Sequence, residues 1–186
     1  SLTPTGAAGS TSFTNMQNLT GGSAADTFTF TGAFQVAGTI DGGGGTNEII
    51  GPNLVTPWSI TGDNAGSLTP TGAAGSSSFT NIQNLTGGSA ADTFTFTGAF
   101  QVAGTIDGGG GTNEIIGPNL VTPWSITGDD AGSLTPTGAA GSSSFTNIQN
   151  LTGGSAADTF TYTGAFQVTG TIDGGSGSNT IVGPNL

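Results

Sequence analysis

The sequence predicts an all-β chain wound as a parallel β-solenoid, a β-helix or β-roll with three coils in each 66-residue repeat. Three observations carry that expectation: a block copied at fixed period, a finer period inside it, and strand signals without helical periodicity. The block runs from Asn18 to Gly51 and holds two glycine pairs, Gly21-Gly22 and Gly42-Gly43, 21 residues apart. It recurs from Asn84 and from Asn150, shifted by 66 each time.

Repeat one is residues 1–66, repeat two 67–132, and repeat three, incomplete, 133–186. The first two differ only at Thr11/Ser77, Met16/Ile82 and Asn64/Asp130. The third departs further, with Phe96/Tyr162, Glu114/Thr180 and Ile116/Val182 among the changes. Stacked repeats need polar caps, and neither end carries a recognisable one, so the expectation is one continuous window of a longer array whose partners are further repeats.

Inside the unit, an aliphatic residue, then Thr or Asp, then Gly occurs at Leu19-Thr20-Gly21, Ile40-Asp41-Gly42 and Ile60-Thr61-Gly62. The intervals are 21, 20 and then 25 residues to Leu85-Thr86-Gly87. Thr27-Phe28-Thr29-Phe30 and Phe34-Gln35-Val36 alternate as strands with one buried face do. Gly or Pro interrupts every longer run, which excludes sustained helix. In stacked coils Leu19, Ile40 and Ile60 form one interior ladder, and Phe28, Ile49 and Leu68 another. Asn15 and Asn18 are expected at corners, bonding to neighbouring coils. Pro4, Pro52 and Pro57 are expected in outer loops because proline cannot donate to a ladder. The longest coil is expected to bulge around Gly6 to Thr11. Three coils at roughly 4.8 Å spacing advance about 14 Å per repeat.

Composition excludes several functions. The chain has no Lys, Arg, His or Cys, and its 11 acids give a net charge of -11. Nucleic-acid binding requires cations to displace phosphate counterions, and attraction to anionic lipid requires them too. No apolar run is long enough for a membrane span. With 33% hydrophobic residues and 11 Phe the chain is too apolar to be a disordered tract. An acidic chain without basic partners gathers cations, Ca²⁺ among them. No other cofactor is required.

Three segments match the nonapeptide G-G-x-G-x-D-x-U-x in part. Gly174 to Val182 and Gly42 to Ile50 carry Asn179 and Asn47 in the acidic slot, and Gly21 to Thr29 keeps Asp26 but has Ala24 in the fourth position. These segments resemble the calcium-binding β-roll repeats of RTX proteins. That resemblance implies Ca²⁺ at Asp26, Asp41, Asp92, Asp107, Asp158 and Asp173, the acids present in all three repeats. The competing reading is that these carboxylates cap turns through nearby backbone amides. Trp58 and Trp124 are either a regular row of sugar-binding or lateral-contact sites or the packing of a loop on its own coil. Asn18-Leu19-Thr20 is a glycosylation sequon read here as structural. Without His, Cys or Lys the usual general bases and nucleophiles are missing, and near-identical copies offer no specialised site. The sequence predicts no enzyme.

The pattern PWSITGDNAGSL…SFTNIQNLTGGSAADTFTF…GTIDGGGGTNEIIG is similar to the repeats of giant secreted bacterial surface proteins, the filamentous-haemagglutinin-like and RTX-like adhesins. The resemblance covers the whole chain and implies an extracellular, repetitive stalk. The expected function is therefore a structural segment of a fibre, stalk or filament on a bacterial surface, with copies associating laterally. The alternatives are a repetitive Ca²⁺- or glycan-binding array and an ice-binding surface; the latter lacks continuous Thr-x-Thr ranks at Glu48-Ile49-Ile50 and Ser67-Leu68-Thr69.

Overall fold

Alternation of one inward apolar residue with outward Thr, Ser or Asp builds short strands, and glycine-rich turns end each after a few residues. The computed structural model describes residues 12–184 and contains no helix among them. From the first repeat come β1 (Leu19–Thr20), β2 (Thr27–Thr29), β3 (Thr39–Asp41), β4 (Glu48–Ile50), β5 (Thr56–Gly62) and β6 (Ala65–Leu68). The second supplies β7 (Ser77–Thr80), β8 (Asn84–Thr86), β9 (Asp92–Phe96), β10 (Thr105–Asp107), β11 (Glu114–Ile116), β12 (Pro123–Gly128) and β13 (Ala131–Leu134). The last are β14 (Ser143–Thr146), β15 (Asn150–Thr152), β16 (Thr159–Tyr162), β17 (Ile172–Asp173) and β18 (Thr180–Val182).

These strands form two nine-stranded sheets, β1-β3-β7-β6-β5-β9-β11-β15-β17 and β2-β4-β8-β10-β14-β13-β12-β16-β18. The chain is all-β, but the expected parallel β-solenoid is corrected: both sheets are mixed. Strand β6 lies antiparallel between β5 and β7, and β13 lies antiparallel between β12 and β14. The cause is local. Asp63 and Asn64 bridge the paired Gly62 and Ala65, and Asn64 adopts φ 52°, the left-handed conformation that Asn tolerates well. The chain reverses there and forms a hairpin in place of a third coil. A register shift between Ile60 and Gly62 completes the turn.

The hairpin also changes the ladders. Leu19 pairs with Ile40, Ile40 with Phe79, Phe79 with Gly66, and Gly66 with Ile60. Leu19, Ile40 and Ile60 thus share one row, with Phe79 and Gly66 inserted. Phe28 pairs with Ile49, but the next member is Leu85; Leu68 lies in the other sheet, opposite Trp58. Gly66 leaves room for its neighbour: an added Cβ would meet the Ser59 carbonyl oxygen at 2.1 Å and Phe79 Cζ at 2.9 Å. Pro57 is in β5 rather than in a loop, one residue beyond the terminal hairpin pair Trp58–Leu68. Proline is tolerated near a strand start. Pro52 lies between β4 and β5 as expected. Pro4 and the segment Gly6 to Thr11 fall outside the described residues; the copies of that segment form irregular chain leading into β7 and β14.

Between hairpins the chain crosses from one sheet to the other after every strand. Residues from both sheets belong to one hydrophobic core, which includes Ile40, Ile49, Trp58, Phe79, Leu85 and Phe94. Equivalent strands in successive repeats occupy opposite sheets: β1 is in the first, β8 in the second, β15 in the first again. Two repeats therefore advance seven strand positions in a sheet. At about 4.8 Å each that is about 34 Å, or about 17 Å per repeat rather than 14. The outer faces carry hydroxyls in register, Thr39–Ser78–Ser67–Ser59–Thr95 on one sheet and Thr105–Ser144–Ser133–Ser125–Thr161 on the other.

Candidate functional site: the stacked polar turns

Chemistry-bearing side chains collect where the chain passes between the sheets. One turn joins β1 to β2 and recurs before β9 and β16. Gly21-Gly22-Ser23-Ala24-Ala25 is flexible and small enough to curl back on Asp26, whose Oδ2 accepts the Gly22 N–H. Asp92 accepts from Gly88 N at 2.8 Å and Asp158 from Gly154 N at 2.9 Å. The second oxygen of each of these latter two reaches another strand: Asp92 Oδ1 accepts Thr56 N, and Asp158 Oδ1 accepts Thr122 N, both at 2.9 Å. Asp92 and Asp158 are buried, 1% and 0% exposed. Burial pushes the Asp92 carboxyl up to about 6 against the pull of its amide donors. Burial raises Asp158 in the same way.

The second turn joins β3 to β4. Asp41 Oδ1 accepts Gly43 N at 3.0 Å and Asn81 Nδ2 at 2.8 Å. Asp107 repeats both bonds with Gly109 and Asn147, and Asp173 the first with Gly175. The Asn81 amide, seconded by Gly43 N, holds the Asp41 carboxyl below its ordinary value. The turns stack closely. Gly43 has φ 72°, and a Cβ there would strike the Gly22 carbonyl oxygen at 2.4 Å.

The expectation at Asn18 is met, since its Oδ1 accepts Thr39 N from the neighbouring strand, as Asn84 does for Thr105 and Asn150 for Thr171. Asn15, Asn81 and Asn147 turn the chain at φ 57°, 56° and 55°.

Asn47, in the slot where the nonapeptide has an acid, is the most connected side chain in this turn and is fully buried. Its Oδ1 accepts Asp26 N at 2.9 Å, and its Nδ2 donates to Asn81 O at 3.0 Å and Gly44 O at 3.3 Å. An aspartate there would place a carboxylate against two carbonyl oxygens with no N–H to offer. Asn113 makes the same bonds in the next repeat. Gln83 and Gln149, which the sequence reading passed over, complete the stack: their Oε1 atoms accept Asn47 N at 2.7 Å and Asn113 N at 2.8 Å. The available signal was a polar pair, Gln83-Asn84, between two core positions, Ile82 and Leu85.

The six aspartates are thus placed singly, each in its own turn and each capping an amide. Ca²⁺ needs six to eight oxygen ligands, whereas the neighbours directed at these carboxylates are N–H groups. Among the described residues no three acidic side chains come together as a metal-holding group. Of the two readings of the tryptophans, packing is the one the structure fits: both are core residues. Trp58 and Trp124 are 1% exposed, stacked on Phe94 and Phe160 at centroid distances of 5.4 and 5.3 Å. They lie on opposite sheets, and neither ring offers a face to a sugar. What these turns accomplish chemically is register: side-chain amides and carboxylates satisfy backbone groups that the sheets cannot reach. Compared with protein-family models, curated proteins and solved structures, the chain matches none.

Proposed function

We propose that the chain is a structural repeat segment of an extracellular fibre, stalk or filament on a bacterial surface, giving mechanical reach for adhesion or cell contact. The observation that carries this reading is continuity across repeat boundaries. Strand β4 pairs with β8, β5 with β9, and β11 with β15, so backbone hydrogen bonding and the apolar core pass from repeat to repeat without a linker. The copies share the same set of turn bonds, the Asp-to-glycine amide caps, among the described residues. Such a body lengthens in proportion to copy number at constant cross-section, as repeat proteins do. Lateral association of copies uses the uncharged hydroxyl columns of the outer faces.

Electron microscopy of purified chains with three, six and nine repeats tests the proposal. Rods lengthening by about 17 Å per repeat support a self-sufficient stalk, and particles that stay compact as copies are added overturn it. The same imaging with a calcium chelator separates the readings of the aspartates. Loss of the rod on chelation would make Asp26, Asp41 and their copies ligands of a calcium-dependent array.

A further inference from the structure

Among the described residues the hairpin tips of the first and second repeats each grip a loop of the next. Asn64 N donates to Gln101 O at 2.8 Å, and Gln101 N donates to Asp63 Oδ1 at 2.8 Å. Asn64 Oδ1 accepts Ala103 N at 2.8 Å, and Asn64 O accepts Ile82 N at 3.0 Å. One tip thus holds two segments of the following repeat, one 18 residues away at Ile82 and one almost forty residues away at Gln101 to Ala103. The next joint keeps this backbone pattern. Asp130 N donates to Gln167 O, Gln167 N to Asp129 Oδ1, Thr169 N to Asp130 Oδ1, and Ile148 N to Asp130 O.

The two joints differ in side chains at two sequence positions that touch. Asn64 faces Ala103, whereas Asp130 faces Thr169, and the Thr169 hydroxyl donates to Asp130 Oδ2 at 2.7 Å. Replacing Asn by Asp puts two adjacent carboxylates, Asp129 and Asp130, on one tip in a chain with no cation. Asp130 Oδ1 keeps the backbone donor that Asn64 Oδ1 has, but Oδ2 gains a donor only because the partner loop has changed from Ala to Thr. A hydrogen bond to an ionised acceptor is stronger than a neutral one, so the two changes compensate each other.

We propose that the second tip residue and the third residue of the loop it grips are a matched pair that selects which repeat docks on which. The amide of Asn64 accepts an alanine-bearing loop, whereas the carboxylate of Asp130 requires a threonine-bearing one. Copies that look interchangeable in sequence are therefore ordered along the array. This goes beyond the stalk reading and does not depend on it, since it concerns any array in which one repeat docks on another.

The test is a pair of double-mutant cycles on the whole chain, read by amide hydrogen exchange at positions 103 and 169 and by thermal midpoint. Thr169→Ala is expected to speed exchange at residue 169 about tenfold in the native background, and by less than about twofold after Asp130→Asn. Asn64→Asp is expected to lower the thermal midpoint, and adding Ala103→Thr to restore it. Strictly additive effects in both cycles would overturn the proposal. So would an Asn64→Asp penalty that persists unchanged beside Ala103→Thr.

Discussion

Asn113 is the residue whose loss isolates the contribution of the turn stack. It is fully buried, and its amide serves Asp92 N, Gly110 O and Asn147 O together. Asn113→Ala leaves these buried groups without partners and is expected to cost about 2–3 kcal/mol, read as a shift in the urea midpoint. Asn113→Asp is expected to cost more, because it converts a donor into a charge facing carbonyl oxygens. The aspartates set the response to pH. The native state binds a proton on Asp92 more tightly than the unfolded chain does, with a pKa of about 6 against 3.8. Ionisation therefore opposes folding, and stability falls as pH rises through that window and levels off above it. Asp158 acts in the same direction. Asp41 acts oppositely: its pKa is lowered, so its contribution is present above 3.8 and lost as pH falls further. Thermal midpoints are expected to peak near about pH 4 and to fall towards about pH 6, and a midpoint rising steadily from pH 5 to pH 8 would contradict this balance. The role of Asp26 and Asp41 in turns was legible from sequence because glycine pairs beside Asp have few other uses. The reach of Asn47 to two neighbouring turns, at Asp26 and Asn81, was not, since which turn lies beside it depends on the whole stack.

At the level of elements, the β5–β6 and β12–β13 hairpins decide the architecture. The strands, the ladder of Leu19 with Ile40, and the alternation of buried and exposed residues all followed from local pattern. The reversal at Asp63-Asn64 did not, although Gly-Asp-Asn between two apolar runs is a turn signal; the apparent periodicity of Ile60-Thr61-Gly62 concealed it. That misreading also misplaced Leu68 and put Pro57 in a loop. The hairpin depends on glycine at the centre of its second strand. Gly132→Ala is expected to destabilise by about 3 kcal/mol, because the new Cβ would meet the Ser125 backbone oxygen at 2.1 Å and Phe145 Cζ at 2.9 Å. Backbone cannot swing aside as a flexible side chain does. A thermal midpoint unchanged in Gly132→Ala would show that the hairpin tolerates a wider separation. Glycine 51 has a related role, leaving space for the Trp58 ring, whose Cζ2 lies 2.9 Å from where a Cβ would stand.

At the scale of the molecule, the sequence gives the repeat length in residues but not its length in space. Three coils would have advanced about 14 Å, whereas the inserted hairpin adds strand positions and brings the advance to about 17 Å. Fibre diffraction or two-dimensional averages of an extended array are expected to show a true axial repeat of about 34 Å, because only alternate copies have the same orientation. A true repeat half as long would mean that equivalent strands share a sheet. The opposite placement of β1 and β8 gives the array a parity. Adding or removing one 66-residue copy turns everything beyond it to the opposite side, while adding or removing two preserves its direction. A module carried past an odd number of copies and one carried past an even number face away from each other, so copy number sets heading as well as distance.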